Sequence, residues 1–572
     1  MKQYFYFFLL FLIASCSSPQ QELYKNVFRM NLEEGLSTLD PAFARDQRAI
    51  WMTSQIFSGL IELDTNLQAR GLLAKSWEIS PDGKIYTFHL RSDVNFQKHA
   101  CFGKDSTRKV TAQDFVYSFS RICDAKVASN GFWIFNNKIK GAKEFNEEKA
   151  TEVTGFQALN DSTFQIELTQ AFPPFLNLLA MPYAFVVPKE AVSLYQKEFG
   201  RNPVGCGAFC FFKWEEGNYL LLHKNKHYFE KKAGQQLPLL DAVKVSFIPS
   251  KLSAFIQFKQ GNLDFMNDIH LSYKDEVLTN QGKIQPQYAE KYQFLTSPQL
   301  ILYYVGMMTD PSKYPQGKHP LLNVKVRQAL SHAIDRKKMT TYLLNGMGYP
   351  SQRILPQILL PAQTDTTVGY EYNLDKAKAL LAEAGYPNGQ GLGEWELSIA
   401  ADYAFLGEFI QKEVEPLGVK LRVKTAQAGA VRKDIMEGKL AIWRANWIGD
   451  YPDGETFLSL FHSKNHAPSG PNTTHYGSET FDKLYEQAMT LQQDSLRKAL
   501  YVNMEKEVLA NAPIIPLYHG RIFRITQKNI KNLPIDAMNQ LSLKYVKKEI
   551  AKNAISPDNT RPSAPPFHFF DN

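Results

Sequence analysis

The residue patterns that usually announce catalysis are missing from this chain. There is no Gly-x-Ser-x-Gly elbow to expose a nucleophile, no His-Glu-x-x-His pair for zinc, no Gly-x4-Gly-Lys-Ser/Thr phosphate loop and no EF-hand-like run of Asp and Asn. Asn388-Gly389-Gln390-Gly391-Leu392-Gly393 is glycine-rich, but it follows a helical pattern, whereas a nucleotide loop follows a strand and opens a helix. It reads as an ordinary loop. The twelve histidines are scattered, and His319, His332 and His475 read as surface or capping residues rather than ligands. Neither a metal nor a cofactor is called for. Catalytic carboxylates need no local signature, so an exported hydrolase acting on peptides or glycans stays as an alternative.

The elements that would carry a site are short and mixed. Tyr86, Phe88 and Leu90 share one face of a strand entered through Pro81-Asp82-Gly83, and Phe164, Ile166 and Leu168 repeat that alternation after Asn160-Asp161. Residues 209–214 and 219–223 read as a hairpin, and Val243, Val245 and Phe247 as a further strand. Helices are plainer later on. Val326, Ala329, Leu330, Ala333 and Ile334 follow i, i+3, i+4 spacing with Asn323 as N-cap, and Ala377, Leu380, Leu381 and Ala384 do the same between Asn373 and Gly385. The fold class is therefore mixed α and β, and no internal repeat is present. At 572 residues the chain predicts three to four units of about 150 residues each. It is 44% hydrophobic, enough for a large core, and its net charge of +8 is spread among interspersed Lys and Glu, which argues against nucleic acid as a partner.

The amino terminus gives an address. Lys2, an apolar run from Tyr4 to Ala14 and the segment Ile13-Ala14-Ser15-Cys16 resemble a bacterial lipoprotein signal, the run being shorter than the roughly 20 residues a spanning helix needs. Residues 1–15 would be removed, Cys16 acylated, and 16–21 left as a tether holding the protein to a bacterial membrane. Cleavage takes Lys2 away and leaves +7. Cys101, Cys123, Cys206 and Cys210 remain, an even number in an exported chain. Of the three connectivities, Cys101–Cys123 and Cys206–Cys210 close the shortest loops; zinc binding or free buried thiols are the other readings. Residues 551–572, rich in Pro and polar side chains, read as a loose tail.

A wider resemblance is carried by motifs in order along the chain. Leu39-Asp40-Pro41-Ala42, Ile56-Phe57-Ser58-Gly59-Leu60, Leu73-Ala74-Lys75-Ser76-Trp77-Glu78 and Thr111-Ala112-Gln113-Asp114-Phe115 are followed by Pro203-Val204-Gly205-Cys206-Gly207, Val326-Arg327-Gln328-Ala329-Leu330 and Ala377-Lys378-Ala379-Leu380-Leu381. Together they resemble family 5 of the bacterial extracellular solute-binding proteins, the oligopeptide- and dipeptide-binding group. The resemblance implies a monomeric two-lobed clamp, of α/β class with an extra inserted domain, that closes on its ligand and hands it to the permease subunits of an ABC importer. Mapped here, the first lobe takes 22–57, 184–300 and 518–550, the inserted domain 58–183, and the second lobe 301–517.

The same resemblance selects the ligand residues. In Trp443-Arg444-Ala445-Asn446-Trp447-Ile448-Gly449-Asp450-Tyr451-Pro452-Asp453, Asp450 stands where peptide-binding members pair a carboxylate with the peptide ammonium, and Arg444 where the oligopeptide branch has an arginine near the carboxyl end. Asn446, Trp447 and Ile448 would present main-chain groups to an extended ligand. Asp453 reads as a turn residue. Two positions depart from the pattern: Arg45 replaces an acidic residue and Asp402 replaces a histidine, each reversing local charge. Peptide is the leading ligand, with nickel, a haem-like compound or a sugar as same-family alternatives.

Overall fold

The computed structural model describes residues 26–361, 364 and 368–549; the leader, Cys16, the tether and the tail at 551–572 lie outside the described residues. Alternation produces the sheets. Strand Ile85–Leu90 buries Tyr86, Phe88 and Leu90 and turns its other residues outward. It lies between Ala74–Ile79 and Thr163–Glu167 in a four-stranded antiparallel sheet completed by Phe156–Asn160. Helix Ala112–Cys123 opens with a capping box in which Asp114 accepts from the Thr111 N–H at 2.9 Å. It then lays Phe115 and Phe119 against Phe156 and Phe164. This aromatic core spans residues within 42–206, with one later addition, Tyr451.

A second sheet joins the start of the chain to its middle: Val27–Asn31 runs parallel to Ala242–Ser246, which continues antiparallel into Tyr219–Lys224 and Phe209–Glu215. Its inward residues Phe28, Met30, Leu220, Leu222, Val243 and Val245 form a separate core. The two cores are tied by a buried two-pronged ion pair, with Arg121 on Asp40 at 2.9 and 2.5 Å.

The third sheet has seven strands and spans the molecule. Two long strands, Tyr292–Met307 and Ile514–Gln527, pair antiparallel along most of their length. At one end they pack with Phe255, Phe258 and Tyr288, and at the other with helix Val324–Ala333 and strand Glu394–Ala400. Between these ends the register shifts: Pro298 faces Arg521 but Leu302 faces His519, so extra residues bulge out where the pair passes from one core to the next. The predicted caps hold. Asn323 accepts from Lys325 N–H and Asn373 from Lys376 N–H, each at 2.9 Å, and Gly385 takes the left-handed φ of 89° that ends helix Leu374–Glu383.

The cysteine pairing is corrected by the structure: Cys101, Cys123, Cys206 and Cys210 are all free thiols. Closeness in sequence did not bring them together in space. Cys123 ends its helix inside the aromatic core, while Cys101 packs against the neighbouring core. Cys206 is buried in the loop before the hairpin, and Cys210 lies in the strand opposite His223. Burial pushes the Cys206 and Cys210 thiols up to about 12. The histidine expectation also needs amendment. His319 is a cap, accepting from Leu321 N–H, but His332 is buried and bonds the Glu371 carbonyl at 2.7 Å, and His475 is half-buried against Asp310.

Candidate functional site

Strand Ile442–Ile448 is the element from which the site is built. On one edge all seven of its residues pair with residues 301–307 of the long strand. On the other, only Ile442 and Trp443 pair, with Leu397 and Ser398, after which the neighbouring strand diverges. Among the described residues no strand pairs with 444–448 on that edge. Asn446 and Ile448 are exposed, whereas Arg444 is buried. The Trp447 indole N–H is buried without a hydrogen-bond partner among the described residues. An unpaired strand edge next to an exposed cleft is what an added peptide strand requires.

Gly449 closes the strand by donating to the Leu300 carbonyl at 2.8 Å, and Asp450 follows. The turn itself is made by Asp453, whose N–H donates to the Tyr451 carbonyl and whose carboxylate accepts from Glu455 N–H. Asp450 uses only its N–H, toward Thr456 Oγ1, and among the described residues its carboxylate has no hydrogen bond or ion pair. The Asp450 side chain is exposed to the cleft, yet the protein packed around it withdraws part of its hydration, which with repulsion from the nearby Glu455 pushes its pKa up to about 6. Beneath it, Tyr451 and Tyr485 donate to Glu455, and Arg497 pairs with Asp453.

Asp450 opens onto a cavity of about 480 Å³. Ile448, Gly449 and Tyr451 line it from one side, helix Gln47–Ile56 and the segment 538–544 from another, and residues 177–182 from a third. Arg45 lies in this wall, just before the helix. The structure thus gathers Asp450, Ile448 and Arg45 in one place.

Arg444 and Asp402 lie elsewhere. The Arg444 guanidinium stacks 3.7 Å from the Tyr403 ring centroid and 5.0 Å from that of Tyr303, with its Nε and Nη2 buried and making no hydrogen bond. Tyr303 itself stacks on Tyr518 across the long strands at 4.3 Å. Asp402 is exposed in the turn Ala401–Tyr403, next to that stack. Tyr303, Tyr403 and Tyr518 were missed from sequence because they come from three separate elements and share no motif. Cross-strand pairing of the two β residues was the only signal that could have linked any of them. Among the described residues no group of His, Cys, Asp and Glu could hold a metal ion, and no helix is long and apolar enough to cross a membrane.

Several cores joined by long paired strands, with a cavity enclosed where they meet, define a ligand-enclosing clamp. The chain belongs to the bacterial extracellular solute-binding proteins, family 5, whose sequence profile matches residues 68–469. It is 28% identical to heme-binding protein A of Haemophilus influenzae over 492 residues, 84% of each chain. It is 25% identical to the glutathione-binding protein GsiB of Escherichia coli O1:K1 / APEC over 526 residues, 91% of this chain and 93% of the relative. Among solved structures it resembles the ABC transporter-associated periplasmic binding protein DppA from Helicobacter pylori in complex with peptide STSA, with a TM-score of 0.70, 25% identity and coverage of 92% and 98%.

Proposed function

We propose that the protein captures short extended peptides between its lobes and delivers them to an ABC importer. The observation that carries this reading is the free edge at 444–448 ending in Asp450, whose carboxylate has no partner among the described residues. Main-chain pairing along the edge holds a peptide whatever its side chains, while Asp450 fixes the register by meeting the terminal ammonium. Arg444, with unsatisfied N–H groups in its aromatic stack, is placed to meet a carboxylate farther along. The ligands for which the relatives are named, a peptide, glutathione and heme, make peptides the first class to assay and heme the second. The test is mass spectrometry of whatever co-purifies with protein lacking residues 1–15, followed by titration of the identified compound. A stoichiometric complex that releases an intact peptide supports the reading; turnover of the peptide replaces it with hydrolysis.

The lobe division at 300/301 and 517/518 is supported by two register shifts, one between Pro298 and Leu302 and one where Tyr303 and Tyr304 face Tyr518 and Pro516. The protein acts as a monomer held by a lipid on Cys16 at the periplasmic or outer face of the envelope. Full-length protein should fractionate with membranes and Cys16→Ala should not; a membrane-bound Cys16→Ala variant would remove the anchor from the reading.

A further inference from the structure

Five charged residues line the cavity at Asp450: Arg45, Asp46, Glu62, Asp450 and Lys544. Three are already matched. Asp46 caps helix Gln47–Ile56, accepting from Arg48 N–H and Ala49 N–H at 3.1 Å each, and its carboxylate also meets the Arg48 side chain. Lys544 holds both oxygens of Glu62 at 2.9 and 3.0 Å and also meets Glu230, while Arg70 closes the same network. Arg45 and Asp450 are the two left over. Among the described residues neither side chain makes a hydrogen bond or an ion pair, and no ion pair within 4.0 Å joins them to each other although both act on the buried Tyr183 phenol, with opposite sign.

Two unmatched opposite charges facing one enclosed space describe the ligand that would satisfy both. We propose that the cavity receives the head of its ligand as a zwitterion, with an ammonium on Asp450 and a carboxylate on Arg45. This inference rests on the peptide reading above and narrows it. An ordinary peptide carries an amide on the carbon that bears its terminal ammonium, so it presents the cation without the anion. A γ-linked glutamyl residue carries both a free ammonium and a free carboxylate on that one carbon and continues through its side chain. Arg444 cannot substitute for Arg45. Six positions along an extended chain separate it from Asp450, up to about 20 Å, and it is not part of the cavity wall. Arg45 is therefore the specificity-determining residue at the ligand head, and its planar guanidinium suits a carboxylate.

The experiment is a calorimetric titration of ligand-free protein with γ-Glu-Ala-Gly, the same peptide with its α-carboxylate converted to carboxamide, and Ala-Ala-Gly, each against wild type and Arg45→Gln. The expected result is that wild type prefers γ-Glu-Ala-Gly over both others by roughly 10- to 100-fold, the range for one charge-assisted hydrogen-bond set. Arg45→Gln should erase that preference, the carboxamide and the substitution not adding because both remove the same contact. Arg45 is exposed and unpaired, so the variant should melt with the wild type. If Ala-Ala-Gly binds wild type as tightly as γ-Glu-Ala-Gly and Arg45→Gln changes neither, the zwitterion head is wrong and the peptide reading survives. If none of the three binds at millimolar concentration, both are wrong.

Discussion

Asp450 is a carboxylate held in a crowded cleft with no cation of its own, and this sets its pH behaviour. Its pKa lies at about 6, above the ordinary 3.8, because burial and Glu455 disfavour the charge. An ammonium ligand needs the charged form. Peptide affinity should therefore be constant above pH 7 and fall as pH drops through about 6, approaching tenfold per unit, with a proton released on binding in that range. Asp450→Asn should lose roughly 2–5 kcal/mol of binding, thirtyfold or more, and lose the pH dependence with it. Titration from pH 5 to 8 with an amino-terminally free peptide checks both; an equally steep profile in the variant would assign the proton to another group. The position of Asp450 was legible only through the matched segment around it. Its lack of a partner was not, since Asp453 and Glu455, close by in sequence, are fully engaged in the turn and in tyrosine hydrogen bonds. Arg45 was legible as a charge reversal. Its grouping with Asp450 rather than with Arg444 depends on residues more than 400 positions apart meeting across a cavity.

At the scale of elements, the crossing of the two long strands is the most constrained place in the fold. His519 is buried there, its Nδ1 donating to the Ile301 carbonyl at 3.2 Å, and burial pushes its pKa down to about 4. A depressed histidine contributes stability that is complete above its ordinary 6.5 and is lost as pH falls from 6.5 toward 4, here roughly 3 kcal/mol. His519→Gln should therefore flatten the decline in unfolding free energy between pH 7 and 4; an unchanged slope would place the titrating group elsewhere. Next to it, a Cβ on Gly520 would come within 2.1 Å of the Ile301 methyl, so Gly520→Ala must push the strands apart. Thermal unfolding should show a loss of roughly 1–3 kcal/mol, the usual cost of overpacking. Strand and helix positions here were readable from alternation and caps, because those signals are local: Phe88 and Asn323 behave as their neighbours dictate. The bulge at 298–302 was not, because it exists only as a relation between two strands more than 200 residues apart.

At the scale of the molecule, Leu67 joins the half of the structure before residue 206 to the half after 300. It sits at the tip of the turn between strands Ile61–Leu63 and Ala69–Gly71, at a φ of 63°, where a leucine is held against its backbone preference. Its side chain is nonetheless buried, in a core with Leu300, Phe457, Tyr501 and Met504. Tyr451 crosses the other way, from the later half into the aromatic core of the earlier one. Separation of the halves would break these contacts, so they should favour a closed arrangement whether or not a ligand is present. Leu67→Asn separates this docking role from the turn, because asparagine adopts the left-handed conformation readily and removes only the apolar side chain. Burying a leucine contributes about 1.5–3 kcal/mol, so the substitution should shift the balance toward open by roughly 10- to 100-fold. The ligand then has to restore the closed state, and apparent affinity falls by the fraction still closed when empty. Small-angle scattering should show a larger radius of gyration for the empty variant than for the empty wild type, and the same radius for both once saturated with peptide. Equal radii without ligand, together with equal affinities, would mean that Leu67 packs against a lobe that does not move away from it.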